Sequence, residues 1–184
     1  KQYPFDFEFR IIYTLDKSKI NVQYSVKNTG NKNMYYSVGG HEGYSCPEGI
    51  EEYDIVFEEK EDLISNPPQG NVLGYDTINL GSNTDVLPLK YEYFTVDALV
   101  FLNLKSRKVK FQNRKSGEFT EVEFKDCDYL LLWTKPGAKY ICIEPWCGSC
   151  DTYQYEGEFH ERPFINTINP EEIWENTYYI DVKG

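Results

Sequence analysis

The sequence predicts an antiparallel all-β fold, a β-sandwich, from three observations. Aromatic residues make up 16% of the 184 residues, with 16 Tyr and 11 Phe against a single Met, a composition that favours strands. Apolar residues recur at every second position along much of the chain, the period of a strand with one buried face. No sustained helical periodicity competes with this pattern; one helical turn near residues 61–65 is the only exception expected.

The elements follow in order. "FDFEFRIIYTL" alternates Phe5, Phe7 and Phe9 on one face, then shifts to Ile11, Tyr13 and Leu15. "INVQYSVKN" alternates Ile20, Val22, Tyr24 and Val26, and the polar "DKSK" between the two reads as a hairpin turn. "NTGNKN" at residues 28–33 is a further turn signal. "KVKFQNRKSGEFTEVEF" reads as a hairpin with Lys115, Ser116 and Gly117 at its tip. "YLLLWTK" and "KYICIEPW" form another pair, joined around Pro136 and Gly137. "TYYIDV" closes the chain as a last strand after the turn "NPEE" at residues 169–172. Repeats, low-complexity tracts and linkers are absent from the sequence, which reads as one domain over residues 1–184.

Charge and hydropathy exclude several classes. A formal net charge of −11 disfavours binding to nucleic acid or to an anionic membrane surface. No apolar run approaches the roughly 20 residues that span a bilayer, and no signal peptide is visible. The chain starts with Lys1 and its single Met is Met34, so truncation or processing is an expectation. The five cysteines are an odd number, which argues against a fully paired disulfide framework. Cys142, Cys147 and Cys150 cluster in "CIEPWCGSC", but a structural zinc site normally takes four ligands, and no second CxxC or HxxxH supplies them. Reduced thiols, no bound metal and a cytoplasmic location are the expected reading.

Strand geometry then groups the candidate functional residues. In "KYICIEPW", Ile141 and Ile143 point into a core, while Tyr140, Cys142, Glu144 and Trp146 share the opposite face. A carboxylate flanked by Tyr and Trp suits a sugar site, where aromatic faces stack on C–H surfaces and the carboxylate binds hydroxyls. In "FTVDALVFLN", the period sets Val96, Ala98, Val100 and Leu102 on one face and leaves Asp97 beside Thr95, Leu99 and Phe101. An acid in so apolar a strand needs a partner; local backbone N–H groups would satisfy it as well as a ligand would. Glu144 taken alone reads equally as a solvated edge carboxylate, and His41 alone as a hydrogen-bonded structural histidine. His160, in the polar "EGEFHERPF", reads as surface.

Taken together, "GGHEGY" around His41 and "YICIEPWCG" around Glu144, with the segments between and around them, resemble the aldose 1-epimerase (galactose mutarotase-like) family, specifically its LacX branch. The resemblance covers essentially the whole chain. It implies a large antiparallel β-sandwich whose concave face binds a hexose, of which this chain would be the C-terminal two-thirds, lacking the N-terminal strands. It implies a cofactor-independent isomerase, with His41 as general acid on the ring oxygen and Glu144 as general base on the anomeric hydroxyl. Asp97 stands where a substrate-binding aspartate is expected, and Tyr140 and Trp146 are the aromatic sugar contacts. Relatives are longer, and the part preceding "KQYPFDFEF" supplies an arginine and a further polar residue to the sugar site.

That chemistry needs no metal or nucleophile. One group removes the O1 proton while another protonates O5, and the roles reverse on reclosure. Gly39 and Gly40 would let a sugar and neighbouring backbone approach the imidazole closely, or would form a bulge that re-aims it. Two other classes compete with a mutarotase: a carbohydrate-binding sandwich without turnover, and a metal-stapled or purely structural β-domain. The expected partner is a small sugar, a hexose with or without phosphate. The open edge at "YPFDFEF" is expected to pair with an upstream segment or with a second copy.

Overall fold

The computed structural model describes residues 3–70 and 72–183. Two antiparallel sheets face each other across one core. The larger has seven strands in the order Phe7–Asp16, Lys19–Asn28, Ile173–Lys183, Phe119–Glu123, Lys108–Asn113, Tyr53–Glu61 and Thr84–Pro88. The smaller runs Leu99–Phe101, Tyr129–Trp133, Tyr140–Cys147 and Val38–Gly39, with Glu42–Ser45 also paired to Tyr140–Cys147.

The turns form where the sequence places them. Asp16 pairs with Lys19 across a two-residue turn in which Lys17 takes a left-handed φ of 55°. Gly117 and Gly137, at φ 78° and 83°, close the hairpins around Lys115–Gly117 and Pro136–Gly137. Both need a backbone conformation that a Cβ disfavours.

Alternation decides what is buried. Val22, Tyr24, Ile55, Phe57, Val109, Phe111, Val122, Tyr178 and Ile180 face inward from the larger sheet. They meet Leu99, Phe101, Leu130, Leu132, Ile141 and Ile143 from the smaller one. Ile141 and Ile143 are fully buried, as the period-2 reading requires; truncating either to Ala would cost about 2–5 kcal/mol. The opposite face of the smaller sheet carries a second apolar cluster of Leu73, Ala98, Val100, Tyr129 and Leu131, against which Trp133, Trp146 and Cys150 pack.

Three readings need correction. Residues 61–65 form no helical turn: the strand Tyr53–Glu61 is followed by the short strand Ile64–Ser65, which pairs with Ile78–Asn79. The buried Glu61 carboxylate fixes this region by accepting from the N–H groups of Lys105 and Ser106 and the Ser106 hydroxyl, at 2.7–3.2 Å. Second, "FTVDALVFLN" is extended only over Leu99–Phe101, preceded by the 3-10 turn Tyr91–Phe94. Val96 is therefore 72% exposed and leaves the face of Ala98 and Val100. Third, the row from Phe7 to Leu15 does not change face. Phe7, Phe9, Ile11, Tyr13 and Leu15 oppose Asn28, Val26, Tyr24, Val22 and Ile20 in one unbroken register.

Candidate active site

Glu144 and His41 meet because their strands are in register. Trp146 opposes Gly39, and Ile143 opposes Glu42. The offset is the same on both sides of the gap between Val38–Gly39 and Glu42–Ser45, so His41 stands opposite Glu144 and no bulge intervenes. Residues directly opposite on antiparallel strands share a face. The imidazole Nδ1 lies 3.2 Å from Glu144 Oε1.

The gap has a chemical cause. The Gly40 N–H donates to the Pro145 carbonyl at 2.9 Å, but Pro145 has no N–H with which to return the bond. The Gly40 carbonyl instead accepts from the Trp146 indole Nε1–H at 3.2 Å, and that N–H also reaches Glu144 Oε2 at 3.2 Å. One indole thus repairs the ladder and orients the carboxyl. Gly39 makes room for it, since a Cβ there would stand 2.3 Å from Trp146 Cδ1. Gly40 faces the interior, where a Cβ would meet Glu42 Oε2 at 2.5 Å and the Tyr178 hydroxyl at 2.8 Å.

The Glu144 side chain is only 3% exposed, whereas that of His41 is 62% exposed. Burial pushes the Glu144 carboxyl up to about 7; the Trp146 N–H pulls it back, and the negative charges of Glu42 and Asp97 add to the rise. Glu42 lies behind the site on the interior face, where its Oε1 accepts a short hydrogen bond from the Tyr178 hydroxyl. Tyr178 is in turn 3.3 Å from the Tyr24 hydroxyl.

A cavity of about 350 Å³ opens in front of the pair, lined by His41, Glu144, Trp146, Trp133, Asp97 and Leu131, with Pro68, Gly70, Ala98 and Cys150 at its margins. This is within the size range of small-molecule sites. Asp97 reaches the cavity from the bend before Leu99–Phe101, and its Oδ1 accepts the N–H of Ala98 at 2.8 Å. Of the five candidate residues, four line the cavity. The fifth, Tyr140, lies against Trp133, ring centroids 6.1 Å apart. His160 sits in the surface turn Phe159–Glu161, its side chain half exposed.

Trp133 is the residue that the reading of the sequence passed over. Its ring stands edge-on to His41, 6.0 Å away at 87°. The signal was there in "YLLLW": Tyr129, Leu131 and Trp133 alternate with the core residues Leu130 and Leu132, which puts Trp133 on the face of Glu144. The cysteines do not converge. Cys147 turns into the core with its Sγ 3.4 Å from that of Cys127, Cys150 lies at the cavity margin, and Cys142 sits beside Glu144.

Fold and site together define an antiparallel β-sandwich with a carboxyl–imidazole pair in a tryptophan-walled cavity. The chain belongs to the aldose 1-epimerase family, whose model matches residues 1–180. It is 31% identical to the chromosomal protein LacX of Lactococcus lactis subsp. lactis over 189 aligned residues, covering 98% of this chain and 63% of that protein. The plasmid LacX of the same organism matches equally, at 31%. Among solved structures, a galactose mutarotase related enzyme from Lactobacillus acidophilus superposes with a TM-score of 0.90 at 25% identity, over 99% of this chain and 63% of that one. A galactose mutarotase-like protein from Lactobacillus casei shares the fold, with a TM-score of 0.88 at 19% identity, over 100% of this chain and 65% of that one. The chain thus spans somewhat under two thirds of the length of the curated relatives it matches. Among the described residues, no helix is long and apolar enough to cross a membrane.

Proposed function

We infer that this site interconverts the α and β anomers of a hexose by opening and reclosing its hemiacetal ring. The observation that carries the reading is the pairing of a buried carboxyl titrating near 7 with an exposed imidazole 3.2 Å away, in a cavity walled by two indoles. A group with that pKa is available both as base and as acid near neutrality.

In the forward step Glu144, as carboxylate, takes the proton of O1. The C1–O5 bond breaks and O5 takes a proton from the His41 imidazolium, leaving an open-chain aldehyde. Rotation about C1–C2 presents the other carbonyl face. O5 then attacks C1, returns its proton to His41, and the carbonyl oxygen takes the proton held by Glu144. Protons and charge balance, so this chemistry requires no cofactor. Glu144 is held by Trp146, and the more exposed His41 is the partner free to move aside as the ring enters. Trp133 and Trp146 offer faces for the sugar, Asp97 offers an acceptor for a hydroxyl, and Tyr140 acts through Trp133. The substrate is a hexose; a phosphorylated one would need a basic anchor, and among the described residues the cavity lining holds no lysine or arginine.

A second reading, sugar binding without turnover, draws on the chain's coverage of 63% of its curated relatives. The family resemblance expects an arginine and a polar residue from the preceding segment. Polarimetry on α-glucose and α-galactose separates the two. Catalysed mutarotation that falls by about 100-fold or more in Glu144→Gln and in His41→Asn supports the enzyme. Hexose binding with no acceleration over buffer supports the binding module, and unchanged rates in both variants would sink the assigned roles.

A further inference from the structure

The strand carrying Glu144 places a thiol beside the acid–base pair. Cys142 and Glu144 are two residues apart on one strand and so share a face, and His41 stands opposite Glu144 between the two short strands that pair with it. Cys142 Sγ, a ring nitrogen of His41 and a Glu144 carboxylate oxygen all lie within 4.8 Å of one another. Cys142 and Glu144 are carried by a paired strand, His41 stands in the gap between the two short strands that pair with it, and the Trp146 N–H on Glu144 Oε2 leaves Oε1 directed at His41. Such outer hydrogen bonds commonly orient metal-binding carboxylates.

We propose that Cys142, His41 and Glu144 form a binding site for a thiophilic divalent cation of the zinc type. The donor set selects the ion. Thiolate, imidazole and carboxylate are the ligands of tetrahedral zinc, typically at about 2.0–2.3 Å, whereas magnesium and calcium take oxygen donors. A thiolate and a carboxylate supply two negative charges, which a divalent ion neutralises. Three protein donors leave a fourth position for water or a sugar hydroxyl. On binding, the Cys142 thiol loses its proton to solvent and nothing is oxidised or reduced.

This site is distinct from the CxxC of Cys147 and Cys150, which would be the first place to look for zinc in the sequence. Cys147 is turned into the core beside Cys127, so the two thiols of that motif do not face one ion. A cation held by Glu144 and His41 would occupy the two groups assigned to proton transfer. Inhibition of mutarotation by zinc is therefore a consequence that rests on the proposed function; the binding itself does not.

Cobalt(II) titration of the full chain, kept reduced, tests the site without reference to sugar chemistry. The expected result is one Co²⁺ per chain with a thiolate-to-metal charge-transfer band in the near ultraviolet. Zn²⁺ should displace it and millimolar Mg²⁺ should not. Cys142→Ser should abolish the band and weaken binding by at least about tenfold, and His41→Asn should weaken it to a similar degree, while Cys150→Ser keeps both. His41 is exposed, so its variant serves even where the buried Cys142 substitution fails to fold. A titration without the band, a band retained in a folded Cys142→Ser chain, or a band lost in Cys150→Ser would overturn the site. None of these outcomes touches the mutarotase reading, which needs no metal.

Discussion

Trp146 and Gly39 oppose each other on one rung of the ladder, and a Cβ on Gly39 would stand 2.3 Å from the indole Cδ1. The indole ring is rigid and its N–H is held by the Gly40 carbonyl and Glu144, so it has little room to yield. Gly39→Ala is expected to displace it, and with it the N–H that serves the Gly40 carbonyl and Glu144. Overpacking of this kind costs about 1–3 kcal/mol. Urea unfolding and tryptophan emission would measure it; wild-type stability and an unshifted emission maximum would mean that the backbone, rather than the ring, absorbs the added methyl.

Glu144 also predicts a pH dependence of stability. Its carboxyl moves from an ordinary 4.5 to about 7 on folding, mainly through burial. Below about 4.5 it is protonated in both folded and unfolded chains and costs nothing. Between 4.5 and 7 the unfolded chain has released the proton while the folded chain keeps it, so the stability contributed by this group falls as pH rises. Above 7 the penalty is complete, on the order of 3 kcal/mol. Glu144→Gln should therefore stabilise the protein at pH 8 by up to about that amount, with the gain fading toward pH 4. Equal melting shifts at pH 4 and pH 8 would contradict the raised pKa.

Asp97 separates binding from chemistry. It lines the cavity alongside the His41–Glu144 pair, and one of its oxygens is already committed to the Ala98 N–H. Asp97→Asn keeps the size and a hydrogen-bonding oxygen but loses the charge. Under the proposed mechanism KM for the hexose should rise by roughly tenfold, the worth of a charge-assisted hydrogen bond, with kcat changing less. A loss confined to kcat would move Asp97 from sugar binding to proton transfer.

Much of this was legible from alternation, and the failures share a cause. Ile141, Ile143 and Glu144 could be assigned to faces because "KYICIEPW" is one uninterrupted strand. Asp97 was assigned to a strand that begins only at Leu99, because period 2 carries no information about where extension starts. The bend before it brings Asp97 to the cavity beside Ala98, its nearest neighbour in sequence. The contact of His41 with Glu144 depends on cross-strand register, and register is set by pairing rather than by either strand alone. Pro145 marks where the ladder breaks, but its effect on Gly40 becomes visible only once the two strands are aligned.

The last prediction concerns the edge strand. Phe7, Phe9, Ile11, Tyr13 and Leu15 face the same side as the buried Val22, Tyr24 and Val26, yet remain 42–74% exposed. The smaller sheet covers their neighbours but does not extend over them, so a core-type face ends on an outer strand. Apolar rows on edge strands promote association through both side chains and free backbone groups. Residues 1–184 by themselves are accordingly expected to self-associate in sedimentation experiments, increasingly so toward the roughly hundred-micromolar range. Tyr13 and Leu15 are the most exposed of the row, at 64% and 74%, so Tyr13→Lys with Leu15→Lys should suppress association while leaving the core intact. Addition of the segment that relatives carry beyond this span should do the same if it seats on this row, and it should raise mutarotase activity if it brings the expected arginine. A wild-type chain that stays monomeric across that range, with emission and melting unchanged in the double variant, would show that the row is tolerated in water and recruits nothing.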